Sequence, residues 1–212
     1  GAGYVGLITG LGVSTMGHQV IATDIDKDKI IHLRNGNPPI FEEGLKPLLD
    51  YCNNNKLIEF STDTGLAIKN SDLIIISVGT PIDINGNIDL SQVKSVLNDL
   101  VNNMRPFTFI VIKSTLPITA VNMLKDELGK VFKEGKDFEI VSNPEFLREG
   151  RAVYDFFNPD RIVLGANSVK SIDSLGSFYS PLIERNLSVP EDILIEKKII
   201  PFVVTNLPSA QM

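Results

Sequence analysis

Short apolar runs alternate with longer amphipathic stretches along the whole chain. Residues 18–24, 56–61, 72–78, 107–113, 138–142, 161–165 and 199–205 read as strands. Of these, 72–78 is continuously apolar rather than alternating, the pattern of a strand buried on both faces. Residues 4–17, 26–34, 42–52, 90–103, 118–133 and 168–183 carry helical spacing, and a further helix starts at 206. Asp26 opens the second helix, Asn35-Gly36 stops it, Pro38-Pro39 breaks the chain, and 83–89 is a turn-rich loop. Gly6, Gly10 and Gly12 give the first helix small residues for close approach to a sheet. The alternation predicts an α/β fold, a Rossmann-like doubly wound parallel sheet with helices on both faces.

Composition narrows the classes. With 212 residues, 43% hydrophobic and 22% charged, the chain can bury a core. A net charge of −6 without a basic block opposes nucleic acid, so a phosphate-bearing ligand must be held locally. One cysteine, Cys52, and two histidines, His18 and His32, exclude a disulfide framework and a Cys- or His-based metal centre. No apolar run approaches the roughly 20 residues of a membrane span. The expected location is the cytoplasm.

Gly1-Ala2-Gly3-Tyr4-Val5-Gly6 is a G-x-G-x-x-G at the entrance of the first helix. In a dinucleotide site these glycines let backbone approach a pyrophosphate held on helix amides. Alone the motif is weak. Asp24 strengthens it: at the end of the next strand, an acid accepts from the ribose hydroxyls of NAD and repels a 2′-phosphate. Either Asp24 or Asp26 could instead cap the following helix, and Lys29 could serve the adenosine end or simply face solvent. No strand precedes the glycines, so the sheet is expected to lack its first strand at a truncated N-terminus. Strands 20–23 and 73–78 should then flank a slot rather than pair.

Three strand ends carry polar groups near Pro: Thr80-Pro81, Ser114-Thr115-Leu116-Pro117 and Asn143-Pro144-Glu145. Each alone is ordinary turn chemistry. Their recurrence at successive strand ends suggests a polar floor under a nicotinamide. The stretch from Asn143 to Gly150 places Glu145 and Glu149 four residues apart. It reads either as a helical turn with Arg148 as charge balance, or as a site with Glu145 as general base.

The chain resembles the N-terminal NAD-binding domain of the UDP-glucose/GDP-mannose dehydrogenase family. The likeness rests on Gly1 to Leu7, Pro39-Ile40 with Glu42 and Gly44-Leu45, Val78 to Pro81, Lys113-Ser114-Thr115, Ser142 to Gly150, Asp160 to Gly165 and Leu207 to Ala210. Pro159-Asp160-Arg161-Ile162-Val163 is nearer to the UDP-glucose 6-dehydrogenases. The resemblance implies a double oxidation of a sugar C6 alcohol to the carboxylate by two NAD, through aldehyde-level and thioester stages on a cysteine. It implies that Gly1, Gly3, Val5, Gly6, Asp24, Lys29, Thr80, Thr115 and Glu149 hold the cofactor NAD. Glu145, Phe146, Leu147, Arg148 and Glu149 would line the nucleotide-sugar pocket. Thr115 and Glu145 would be catalytic, orienting and activating water.

The expected organisation is an NAD-binding domain over 1–205, with 206–212 beginning a central interdomain helix. The family's nucleophilic cysteine would lie beyond Met212, and Cys52 reads as a structural thiol. The partner is a nucleotide sugar, with no nucleic acid or membrane, in an enzyme that is a homo-oligomer at full length. A GDP-mannose enzyme and a stand-alone NAD-binding module are the alternatives. A hydroxy-acid dehydrogenase needs a better-placed base than His18 or His32. The purified chain is expected to produce no NADH from UDP-glucose and NAD; absorbance growth at 340 nm under those conditions would contradict this reading.

Overall fold

Seven strands and nine helices alternate along the described residues, which are 1–82, 86 and 88–211 of the computed structural model. They gather into two units. The first comprises Gly1–Thr62, Phe146–Ile162 and Asp173–Val203; the second comprises Asp63–Glu145, Val163–Ile172 and Val204–Met212.

In the first unit, helix α1 (Tyr4–Thr15) leads into strand β1 (Val20–Thr23), followed by α2 (Lys27–Arg34), α3 (Leu45–Asn54) and β2 (Ile58–Ser61). β1 and β2 pair in parallel, from Val20↔Ile58 to Thr23↔Ser61. α1 is apolar nearly all round, and it buries Leu7, Ile8 and Leu11 fully. α3 contributes Leu45, Leu48 and Leu49 to the same interior.

Two glycines of α1 show where close approach is needed. A Cβ on Gly10 would stand 3.5 Å from Ile58 and 3.8 Å from Val20, ordinary contact with the strands. A Cβ on Gly12 would stand 2.0 Å from the ring of Phe156, in helix α7 (Ala152–Phe157). The sequence assigned Gly12 to helix–sheet packing; its neighbour is instead an aromatic ring on another helix. Strand pairing governs which face of α1 meets β1, and Gly12 lies off that face.

Side chains anchor both ends of α2. The Asp26 carboxylate accepts from the Lys29 amide at the N-terminus. At the C-terminus the Arg34 guanidinium donates twice to Phe60 O in β2. His18 stacks on Phe178 with centroids 4.4 Å apart, and its Nε2 lies 3.0 Å from Phe178 O. Cys52 is buried with Ser14 Oγ donating to its sulfur at 3.3 Å, and burial pushes its thiol up.

The second unit is built on β3 (Leu73–Ile76), β4 (Thr108–Ile112) and β5 (Phe138–Ser142), paired in parallel through Ile74↔Ile110 and Ile110↔Ile140. Helices α4 (Thr64–Lys69), α5 (Ser91–Asn103) and α6 (Ile118–Gly129) enclose them. Val93, Leu97, Leu100, Val121, Leu124 and Leu128 meet Ile76, Ile110 and Ile140 in one apolar cluster. β6 (Ile162–Gly165) and β7 (Phe202–Thr205) complete the order β3-β4-β5-β6-β7, while helix α8 (Val169–Ile183) lies between them in sequence. α9 (Leu207–Ala210) follows, capped by Asn206 accepting from Ser209 N.

The sheet is not wholly parallel, since β6 joins β5 antiparallel through the single pair Ser142↔Gly165. The Asn143 side chain extends that short join by donating to Val163 O at 2.8 Å. β1–β2 and β3–β7 form separate sheets, and β1 does not pair with β3 among the described residues. The loop expected over 83–89 falls partly on residues 83–85 and 87, outside the described set, as does residue 212.

Replacing Gly12 by Ala sets a helix-propensity gain of about 1 kcal/mol against overpacking of about 1–3 kcal/mol. The aromatic clash dominates, so Gly12→Ala should lower the urea midpoint. Gly10→Ala, with room for its methyl, should not.

Candidate functional site

The head of α1 and the end of β1 meet at one carboxylate. Ala2 N–H donates to Asp24 Oδ2 at 3.0 Å, Asp26 N–H to Oδ1 at 3.0 Å, and Lys29 Nζ to Oδ2 at 2.7 Å. Burial pushes the Asp24 carboxyl up. The Lys29 hydrogen bond, the Asp26 amide and the Lys29 charge together outweigh it and hold the group below its ordinary value. Asp24 therefore stays ionised and accepting, and Asp26 is the residue that caps α2. Gly1, Gly3, Val5 and Gly6 run past this carboxylate into α1. The N-cap residue of that helix is Gly3, which brings no side chain to its amides; the first turn carries no acid, and nothing lies within 4 Å of where a Gly3 Cβ would stand. A glycine-headed helix beside open space suits a pyrophosphate, and an ionised acid at the neighbouring strand end suits a ribose diol.

Thr80, Thr115 and Glu145 lie in the second unit, each just past the carboxyl end of β3, β4 or β5. Thr80 Oγ1 is 3.4 Å from Thr115 O, and Ser114 Oγ donates to Val78 O at 2.7 Å, so the ends of β3 and β4 are tied together. The Asn143 amide donates to Ile112 O at 2.9 Å, tying β4 to the exit of β5. Between them sits Lys113, buried, with Nζ 3.1 Å from Asn143 Oδ1. Burial pushes its amine down to about 8, opposed by the Glu145 carboxylate.

Phe146, Leu147, Arg148 and Glu149 belong to the first unit, on the segment entering α7. That segment is not helical, which removes the helical-turn reading. Phe146 is half-exposed with the Arg161 guanidinium 4.5 Å above its ring. Glu149 is exposed. Arg148 is committed to Asp155 through Nε at 2.9 Å, a terminal nitrogen at 2.7 Å and its own N–H at 3.0 Å. Those bonds, above all, hold the Asp155 carboxyl below its ordinary value against the effect of burial.

The N-terminus of α7 has no cap from its own N-cap residue, Arg151. The buried Glu42 carboxylate supplies one, accepting from Gly150 N at 2.7 Å and Ala152 N at 3.1 Å. Lys113, Glu42 and Asp155 were not among the residues singled out for the site. For the first two the signal was present, because both lie inside stretches that carried the family likeness.

The NAD-binding domain model of the UDP-glucose/GDP-mannose dehydrogenase family matches residues 1–183. The chain belongs to that family. UDP-glucose 6-dehydrogenase TuaD of Bacillus subtilis is 39% identical over 91% of this chain and 43% of its own length. A UDP-glucose 6-dehydrogenase of Rickettsia bellii is 36% identical over 95% of this chain and 46% of its own. Among solved structures, a GDP-mannose dehydrogenase from Pseudomonas aeruginosa superposes with a TM-score of 0.84 at 31% identity, covering all of this chain and 46% of that one. A UDP-glucose dehydrogenase from Pyrobaculum islandicum gives a TM-score of 0.80, also at 31% identity, over all of this chain and 46% of that one. The chain thus spans less than half the length of these family members. Among the described residues no helix is long and apolar enough to cross a membrane.

The Arg148–Asp155 pair carries a pH signature. Its folded-state carboxyl lies below the unfolded value of about 3.9, so its stabilisation is complete above that pH and vanishes as pH falls through the folded value. The gap in urea midpoint between the natural chain and Asp155→Asn should be constant from pH 7 to 5 and close in stronger acid. A gap that persists unchanged to pH 3 would show that the pair contributes nothing through its charge.

Proposed function

We propose that this chain is the NAD-binding part of a nucleotide-sugar dehydrogenase that oxidises the C6 alcohol of UDP-glucose to the carboxylate. The observation that carries the reading is the Asp24 cluster: an ionised carboxylate held by the Ala2 amide at the head of a helix whose N-cap is Gly3. In it, Gly1, Gly3, Val5 and Gly6 present backbone to the pyrophosphate, Asp24 accepts from the adenosine ribose, and Lys29 keeps Asp24 ionised. NAD, when bound, supplies the hydride acceptor.

Thr80, Thr115 and Glu149 complete the cofactor contacts, and Glu145 to Glu149 face the nucleotide sugar. Phe146 offers an aromatic surface, and Arg148 is held in one orientation by Asp155. The Thr115 hydroxyl orients a water and Glu145 takes its proton, which a carboxylate does without a metal ion of its own. UDP-glucose is preferred because the Bacillus and Rickettsia relatives described above are named UDP-glucose 6-dehydrogenases. GDP-mannose is the second reading, favoured by the Pseudomonas neighbour.

Titration calorimetry of the chain with NAD tests the cofactor half. Asp24→Ala should weaken NAD roughly 10- to 100-fold, the loss of hydrogen bonds to a charged group. NADP should bind the natural chain more weakly than NAD, because its phosphate meets the same carboxylate. Equal NAD affinity in Asp24→Ala would overturn the reading. Titrations with UDP-glucose and GDP-mannose separate the two substrates.

A further inference from the structure

Lys113 directly follows β4 and is 8% exposed, a rare state for a lysine. Its Nζ donates to Asn143 Oδ1 at 3.1 Å and reaches Asn143 O at 3.5 Å. Asn143 is itself bolted down, its N–H on Ile112 O and its side-chain amide on Val163 O. On the β3 side, the Lys113 backbone N–H donates to Ile76 O at 3.0 Å. The amine is thus fixed between strands, at the edge where Thr115 and Glu145 emerge.

Burying an ammonium costs several kcal/mol, and a neutral donor would serve as a mere clamp on Asn143. The charge needs its own reason. Glu145 stands two residues beyond Asn143, on the segment that the Lys113–Asn143 bond anchors at the exit of β5, and its carboxylate favours the charged amine. We propose that Lys113 is the positioning residue for Glu145: clamped on Asn143, its ammonium fixes the exit of β5 and is the counter-charge that holds the Glu145 carboxylate in place. The inference rests on the reading of Glu145 as the group that takes a proton from water, and it assigns that group the partner that orients it. A carboxylate held this way keeps one direction towards the ammonium and another for the water.

The test is carbon-13 NMR of the labelled full chain, following the lysine Cε and glutamate Cδ resonances against pH. Lys113 should titrate near 8, apart from exposed lysines at about 10.4. Glu145→Gln should lower that midpoint by about 1, since the carboxylate favours the charged amine. Lys113→Met should displace the Glu145 Cδ resonance, and Lys113→Arg should restore it, with β4 and β5 amide shifts unchanged in both. A Lys113 midpoint indifferent to Glu145→Gln would overturn the proposal, as would a Glu145 resonance indifferent to Lys113→Met. Should Lys113→Met fail to fold, the Glu145→Gln and Lys113→Arg arms decide. NAD affinity measured on the same samples separates the two readings. Coupling without NAD binding supports the pairing and sinks the cofactor reading, whereas NAD binding without coupling sinks the pairing alone.

Discussion

One carboxylate organises the first unit. Asp24 receives the amide of Ala2 from the glycine stretch, the amide of Asp26 from the turn into α2, and the ammonium of Lys29 from α2 itself. Three pieces of chain that would otherwise end in unpaired donors converge on two oxygen atoms. Taking a carboxylate partly out of water is unfavourable unless such donors surround it. Once they do, the helix head, the strand end and the next helix are fixed to one another at the carboxylate proposed to meet the dinucleotide. In that proposal the ligand-binding group and the structural clasp are the same atoms.

The second unit follows a related rule with opposite bookkeeping. Its strands are buried by apolar side chains along their length, and every polar group of interest appears only where a strand stops. Thr80 reaches Thr115 O, Ser114 donates to Val78 O and Lys113 donates to the Asn143 side-chain oxygen, so the strand ends are tied to one another. A side-chain amide at Asn143 even substitutes for a ladder bond where β6 turns against the parallel direction.

Much of this could be read from the chain itself. The strands were legible because short, continuous apolar runs rich in β-branched residues, such as Leu73–Ile76, read as buried strands. The glycine fingerprint and Asp24 were legible because their spacing follows from strand–turn–helix geometry. Three things were not. Helices α4 and α7 have six residues each, too few for a period to show. The antiparallel entry of β6 depends on a tertiary contact of Asn143. The burial of Lys113 leaves no mark on its stretch of sequence, because burial is a property of neighbours rather than of residue type. The choice between Asp24 and Asp26 as helix cap was open for a similar reason, since both acids satisfy the local rule and only the surrounding donors separate them.

The cap that Glu42 places on α7 has a kinetic meaning. Its two oxygens belong to one residue that lies 108 positions upstream of the Gly150 amide and 110 upstream of the Ala152 amide. A helix of six residues cannot persist alone, so α7 must wait for that distant loop to close. The segment carrying Phe146 to Glu149 is therefore among the last parts of the first unit to consolidate and, by reversibility, among the first to open. A segment assembled in that order can loosen at modest free-energy expense while the strands of the unit remain intact.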